Sequence, residues 1–124
     1  MPRFERSPPA SGPLIQGFSG RGFRIDGELY EGVLLTPEGA AEWRAPPLAE
    51  LSVGDFDGLL ALDPPAEFLI LGTGAAMAFP PLPLVRALEE RGVGVEAMDS
   101  RAAARTWGIL RGEERWIAAA LMPL

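Results

Sequence analysis

The residues of this chain with the clearest capacity for chemistry are the two glycines that close a short apolar run, Phe68-Leu69-Ile70-Leu71-Gly72-Thr73-Gly74. Glycines directly after a strand let successive backbone N–H groups converge into a nest for an anion, the device of dinucleotide-binding folds. Gly72, Thr73 and Gly74 are therefore candidate ligand-binding residues, with Arg105 as the matching positive charge. The third glycine of the dinucleotide fingerprint is absent, because Met77 holds its position, and Glu96 is the nearest candidate for a ribose ligand. The same glycines read more simply as a tight turn at a sheet edge. Asp99 and Arg105 allow either an ion pair that fixes a helix start or an acid/base couple. Glu96 and Asp99 form a carboxylate pair only if a cleft brings them together.

What is missing narrows the chemistry further. The chain has no His and no Cys, it contains no Asn, and all 11 basic residues are Arg. A Ser-His-Asp triad, a thiol nucleophile, a His- or thiolate-bound metal, and a Schiff-base or phosphate-loop lysine are excluded. Carboxylates, hydroxyls, arginines and backbone amides remain, and none of them calls for a metal or a cofactor here.

The elements that must position these residues follow from period and punctuation. A continuous apolar run such as 68–71 fits a strand covered on both faces. Helical spacing near Leu82–Arg91 sets Leu84, Val85 and Leu88 on one face, and Gly92 stops it. A strand at Val93–Ala97 follows. Asp99 or Ser100 then caps a last helix whose inner face is expected at Ala102, Ala103, Thr106, Ile109 and Leu110, with Gly112 at its end. A last strand is expected at Arg115–Leu121. Upstream, Leu14–Phe18, Phe23–Asp26, Leu29–Leu35 and Ala41–Arg44 read as strands separated by Gly- and Pro-containing turns. This first third is expected to be a compact, mostly antiparallel β unit. Between the two halves, Ser52 with Asp55 resembles a capping box, followed by Phe56, Leu59 and Leu60 at helical spacing and an Asp63-Pro64-Pro65 stop. Trp43, Trp107 and Trp116 read as core and rim residues.

At 124 residues and 48% hydrophobic, the chain suits one α/β domain over 13–124 after a tail at 1–12, where Arg, Pro, Ser and Gly leave little to bury. No apolar run approaches the ~18 residues that span a bilayer, and the start lacks an apolar signal core. The absence of cysteine agrees with a cytoplasmic location. Charge is uneven: residues 26–67 carry ten acids against Arg44 alone, and the whole chain is −6. That acidic middle argues against nucleic acid, whose phosphates need a basic face, and suits either a solvated surface or a face for a basic partner.

Several of these segments together resemble a known family. Leu71-Gly72-Thr73-Gly74, Phe79-Pro80-Pro81, Arg91-Gly92-Val93-Gly94-Val95-Glu96-Ala97-Met98-Asp99-Ser100, Ala102 to Trp107 and Ala118-Ala119-Ala120-Leu121 carry the likeness, joined upstream by Gly32 to Gly39 with Trp43. They resemble the small α/β domain family that includes mitochondrial respiratory complex I assembly factor 3 and bacterial homologues of unknown function. The resemblance spans about Leu14 to Leu121. It implies a single domain with a central mixed β-sheet, flanking helices and an additional N-terminal antiparallel β unit. Asp99, Arg105, Thr106 and Trp107 lie in the family motif. Relatives commonly have Cys where this chain has Ala104, and Tyr-Asn where it has Trp107-Gly108.

For function the resemblance implies a non-catalytic assembly role with an unidentified protein partner. A respiratory NADH dehydrogenase or another membrane complex would be the target. Peripheral association with a membrane, without integral insertion, is compatible with that role. The reading from the residues keeps a second class open: a small-anion or nucleotide-binding domain, or an enzyme, built on the Gly72–Gly74 turn and Arg105.

Overall fold

The computed structural model describes residues 12–124, so the expected tail lies, but for Gly12, outside the described residues. Five short strands come first: β1 (Ile15–Ser19), β2 (Gly22–Ile25), β3 (Glu28–Tyr30), β4 (Val33–Thr36) and β5 (Gly39–Glu42). Two 3-10 turns, Leu48–Glu50 and Val53–Phe56, lead to the one-turn helix α1 (Asp57–Leu60). Strand and helix then alternate through β6 (Phe68–Gly72), α2 (Leu82–Glu90), β7 (Gly94–Met98), α3 (Ser100–Gly112) and β8 (Ala118–Leu121).

The apolar run expected to be central is central. β6 lies in a five-stranded sheet of order β5-β4-β8-β6-β7, parallel to both its neighbours, while β4 runs antiparallel to β5 and β8. The sheet is therefore mixed. Its alternation sorts side chains into two cores: Leu69 and Leu71 meet Phe56, Leu59, Leu84 and Leu88 on one side. Ile70 meets Ala103, Trp107, Phe23 and Ile25 on the other. On β8 the small Ala119 faces the core of Trp107 and leaves volume for its indole, while Ala118 and Ala120 face the other core.

The N-terminal unit is divided differently from the expectation. β1, β2 and β3 form their own antiparallel sheet, whereas β4 and β5 join the central one. The first sheet is made of tight hairpins. Gly20 takes the left-handed first turn position at φ 59°, and Asp26-Gly27 takes two left-handed positions at 51° and 82°, the type I′ pattern of an Asp-Gly hairpin. The stretch expected to be one strand over Leu29–Leu35 breaks at Gly32. A Cβ there would lie 2.3 Å from the carbonyl oxygen of Trp43, so the crossing backbone turns the chain from one sheet into the other.

Two helices also differ. The segment after Ser52 is a 3-10 turn followed by a single α turn, with the Asp55 carboxylate accepting from the Ser52 amide at 2.9 Å as expected. The inner face of α3 is Ser100, Ala103, Ala104, Trp107 and Arg111, not the face through Ile109, which is 63% exposed. Trp107 sets the phase. Its fully buried indole donates to the Pro13 carbonyl at 2.9 Å, satisfying the one polar atom that would oppose burial.

One exposed contact ties the start of β6 to the segment before β8. Both Nε and Nη2 of Arg115 donate to Oε1 of Glu67, at 2.9 and 2.7 Å, and the Trp116 amide donates to Oε2. The Arg115 hydrogen bond, helped by the Trp116 amide, holds the Glu67 carboxyl below its ordinary value of 4.5. A carboxyl lowered on folding adds stability at pH values above its unfolded value, and that stability is lost as pH falls through the folded value. Glu67→Gln should therefore flatten the acid side of the stability curve, with wild type and variant converging below the normal glutamate range. Denaturant titrations between pH 7 and 3 test this; parallel curves would contradict it.

Candidate functional site

β6 is the point at which the parallel strands diverge: the chain leaves it through α2 toward β7 on one side, and returns through α3 to β8 on the other. In open α/β sheets the crevice beyond the carboxyl ends of the strands at such a point is where ligands bind. Here Gly72-Thr73-Gly74 occupies that position, and the protein fills the crevice itself.

Ser100 is the plug. Its hydroxyl accepts from the Gly74 amide at 2.9 Å and donates to the Met122 carbonyl at 2.7 Å, while its own amide donates to the Gly74 carbonyl at 2.8 Å. The Met122 amide in turn donates to the Gly72 carbonyl at 2.9 Å. Three chain segments thus meet at one fully buried hydroxyl. The two glycines are needed for this approach. A Cβ on Gly72 would lie 2.7 Å from Ser100 Oγ and 3.0 Å from its Cα, and Gly74 has φ 109°. The Thr73 amide donates to the Met98 carbonyl at 2.8 Å. The amides of Thr73 and Gly74, which the anion-nest reading would aim at a ligand, are both spent inside the fold.

Thr73 carries the order into the next loop. Its hydroxyl donates to the Ala76 carbonyl at 2.8 Å and accepts from the Ala78 amide at 3.1 Å. Residues 73–78 are held as a compact arch, and Pro80 and Pro81 stiffen the exit into α2. What the arch presents is apolar: Phe79 is 85% exposed, with Met77 and Leu82 about half exposed beside it in sequence. A phenylalanine so exposed on a braced loop has no role in the core. In the sequence Phe79-Pro80-Pro81 stands among the segments that carry the family likeness and is not singled out as a contact surface. The available signal was an aromatic placed outside the helical period and followed by two prolines.

The remaining candidates are spread around this knot. Asp99 caps α3, its Oδ1 accepting from the Ala102 amide at 2.9 Å, and it forms no ion pair with Arg105, contrary to the expected pairing. Capping satisfies an otherwise unpaired amide and favours a negative charge at the helix start, so the carboxylate is already engaged. Thr106 is half-buried with its hydroxyl 3.5 Å from Met98 Sδ, and Trp107 is core. Glu96 is exposed on the edge strand β7. Arg105 is exposed in a separate groove between β1 and α3, whose lining does not include residues 72–74. Among the described residues no cluster of carboxylates could hold a metal ion, and no helix is long and apolar enough to cross a membrane.

Comparison with known proteins places this geometry in context. The profile of the family described as "Protein of unknown function (DUF498/DUF598)" matches residues 15–122. NADH dehydrogenase [ubiquinone] 1 alpha subcomplex assembly factor 3 of Danio rerio is 33% identical over 92% of this chain. The match spans 66% of that longer protein, just under two-thirds of its length. An uncharacterised protein of Rhodobacter capsulatus is 35% identical over 96% of this chain and 92% of its own. Among solved structures, a crystal structure of a Bordetella parapertussis protein superposes with a TM-score of 0.82 at 30% identity, covering 94% of this chain and all of that one.

Proposed function

This chain belongs to the DUF498/DUF598 family of proteins of unknown function, and from that premise we propose that it is a non-catalytic interaction protein that helps to build a membrane-associated respiratory complex. The observation that carries this reading is the braced loop with Phe79 at its crown. Large exposed aromatics on pre-ordered loops suit protein contacts, because little conformational entropy is lost when they bind. Supporting it, the polar groups that could do chemistry at the sheet's crevice are consumed by Ser100, Thr73 and the β8 end. The zebrafish relative is named as an assembly factor for the NADH dehydrogenase, and that enzyme is the complex we propose as the target. The partner is a protein, met at a surface made by Met77, Phe79 and Leu82. The chain itself works from the cytoplasmic side, without inserting.

The test is a single exposed substitution. Phe79→Ser should leave the denaturation midpoint within about 0.5 kcal/mol of wild type, as expected for a surface position. Co-purification of subunits of the respiratory complex from detergent-solubilised native membranes should nonetheless fall at least tenfold, because aromatic anchors at interfaces commonly contribute ~2 kcal/mol or more. Unchanged recovery of those subunits with Phe79→Ser would remove this loop from the interface.

A further inference from the structure

The groove in which Arg105 sits lies between an edge strand and a helix. Residues 15–18 of β1 form one wall, and Ala104, Arg105, Gly108 and Ile109 of α3 form the other, enclosing about 530 Å³. Among the described residues β1 pairs only with β2, so its other edge is open. The hairpin register shows which groups that edge offers. Ser19 pairs with Gly22 across the two-residue turn, Phe18 with Phe23 and Gly17 with Arg24, before the register shifts between Gly17 and Ile15. In antiparallel pairs hydrogen-bonded positions alternate, so the N–H and C=O of Phe18 point away from β2. An open edge beside a side-chain groove is the geometry by which domains take up an extended peptide as an added strand.

The groove also has chemical character. Its floor is small: a Cβ on Gly17 or on Gly108 would meet nothing within 4 Å, which leaves room for an incoming aliphatic side chain. Phe18 and Ile109, 41% and 63% exposed, supply apolar walls. Arg105 lines the groove, and one turn before it on α3 the guanidinium of Arg101 lies 5.4 Å from the centre of the Phe18 ring. No carboxylate lines it, although the chain as a whole is −6. We propose that this groove binds an extended segment of a partner protein in which aliphatic and acidic side chains take turns at every second position, so that both lie on the face turned to α3. The segment would pair with the outward N–H and C=O of Phe18, set an aliphatic side chain over Gly108, and aim carboxylates two residues away on the same face at Arg101 and Arg105. Two other occupants fit the groove less well. A second copy meeting the same face across a two-fold axis would bring Arg101 and Arg105 against their own duplicates. The chain's own residues 1–11 carry Arg3 and Arg6 against Glu5 alone, with prolines at 2, 8 and 9 that cannot donate to a ladder.

This inference deepens the binding-protein reading by adding a second surface and the chemistry of its partner. It does not involve Phe79, so the two tests fail separately. The experiment titrates the full chain with a capped nonapeptide in which valine and glutamate take turns at every second position with threonine between them, and with its lysine counterpart, following amide resonances. Saturable shifts confined to residues 15–19 and 101–109 are expected with the glutamate peptide only. Gly108→Leu, which fills the groove and replaces glycine in a helix by a better helix former, should retain thermal stability and weaken binding at least tenfold. Arg101→Glu with Arg105→Glu should reverse the preference toward lysine. The proposal is overturned by absence of saturation at millimolar peptide, or by equal response to both peptides. It is equally overturned by shifts that follow protein concentration alone, which would assign the face to a second copy, or by binding that emerges only after residues 1–11 are deleted.

Discussion

Ile70→Ala and Leu69→Ala are each expected to lower the free energy of unfolding by about 2–5 kcal/mol, the range for removing a well-packed aliphatic side chain. The two residues are adjacent in sequence but point to opposite faces of β6. Leu69 is packed in the core under α1 and α2, and Ile70 in the core under α3 and the small sheet. Each is at most 1% exposed. Large losses at both positions would show that the five-stranded sheet is covered on both sides. A large loss at only one would mean that one layer is loosely attached, and near-neutral results at both would place β6 at an exposed edge. Denaturant midpoints at constant slope give the comparison, since a changed slope would signal an altered unfolded state instead.

The second large effect is expected at the knot. Gly72→Ala places a methyl group 2.7 Å from Ser100 Oγ, 2.9 Å from Leu121 Cδ2 and 3.0 Å from Ser100 Cα. The leucine tip can shift; the helix backbone is held by the Asp99 cap and the Gly74 carbonyl. The expected cost is about 1–3 kcal/mol, as for other overpacked sites. Ser100→Ala removes the acceptor of the Gly74 amide and the donor to the Met122 carbonyl, with a cost of about 1–3 kcal/mol for a buried group left unpaired. Because both substitutions act on the same few atoms, they should not add: without the hydroxyl, the new methyl has more room. A double variant costing less than the two single costs combined supports direct contact. Strict additivity would mean that the glycine serves the turn for another reason. In either single variant, amide exchange over 73–81 should quicken, because Thr73 can hold the arch only while its own backbone is anchored.

The order of elements after Glu67 could be read from the sequence because local signals and packing agreed there. The continuous apolar run, Gly92 after the leucine-faced helix, and Asp99 before the last helix each carry one physical meaning. Two features were hidden. The division of the first third into two sheets depends on Gly32 meeting the backbone of Trp43, a contact eleven residues away in sequence that no period reports. The phase of α3 followed its apolar residues in expectation, but in the fold it follows the Trp107 indole and the buried Ser100, one of them polar.

The glycine turn was legible in position, but not its contacts. Gly72, Thr73 and Gly74 do form the singular turn at the sheet's end. What the spacing of glycines could not convey is that Ser100, twenty-six residues from Gly74, supplies the hydroxyl that takes up its amide. The same residues that suggest an anion nest use their amides inside the fold and hold the loop before Phe79. Arg105 belongs to another surface altogether. A pair of glycines constrains the backbone, whereas the use made of the freed amides is decided by side chains distant in sequence.

The most direct measurement is complementation in the native host. A strain lacking this gene, supplied with wild type or with Phe79→Ser at equal protein level, is scored for assembled NADH dehydrogenase by in-gel activity on native membranes. Wild type should restore the full complex, and Phe79→Ser, folded and equally stable, should leave it depleted with subassemblies accumulating. Full restoration by Phe79→Ser, or normal assembly in the strain lacking the gene, would contradict an assembly role exercised through this loop.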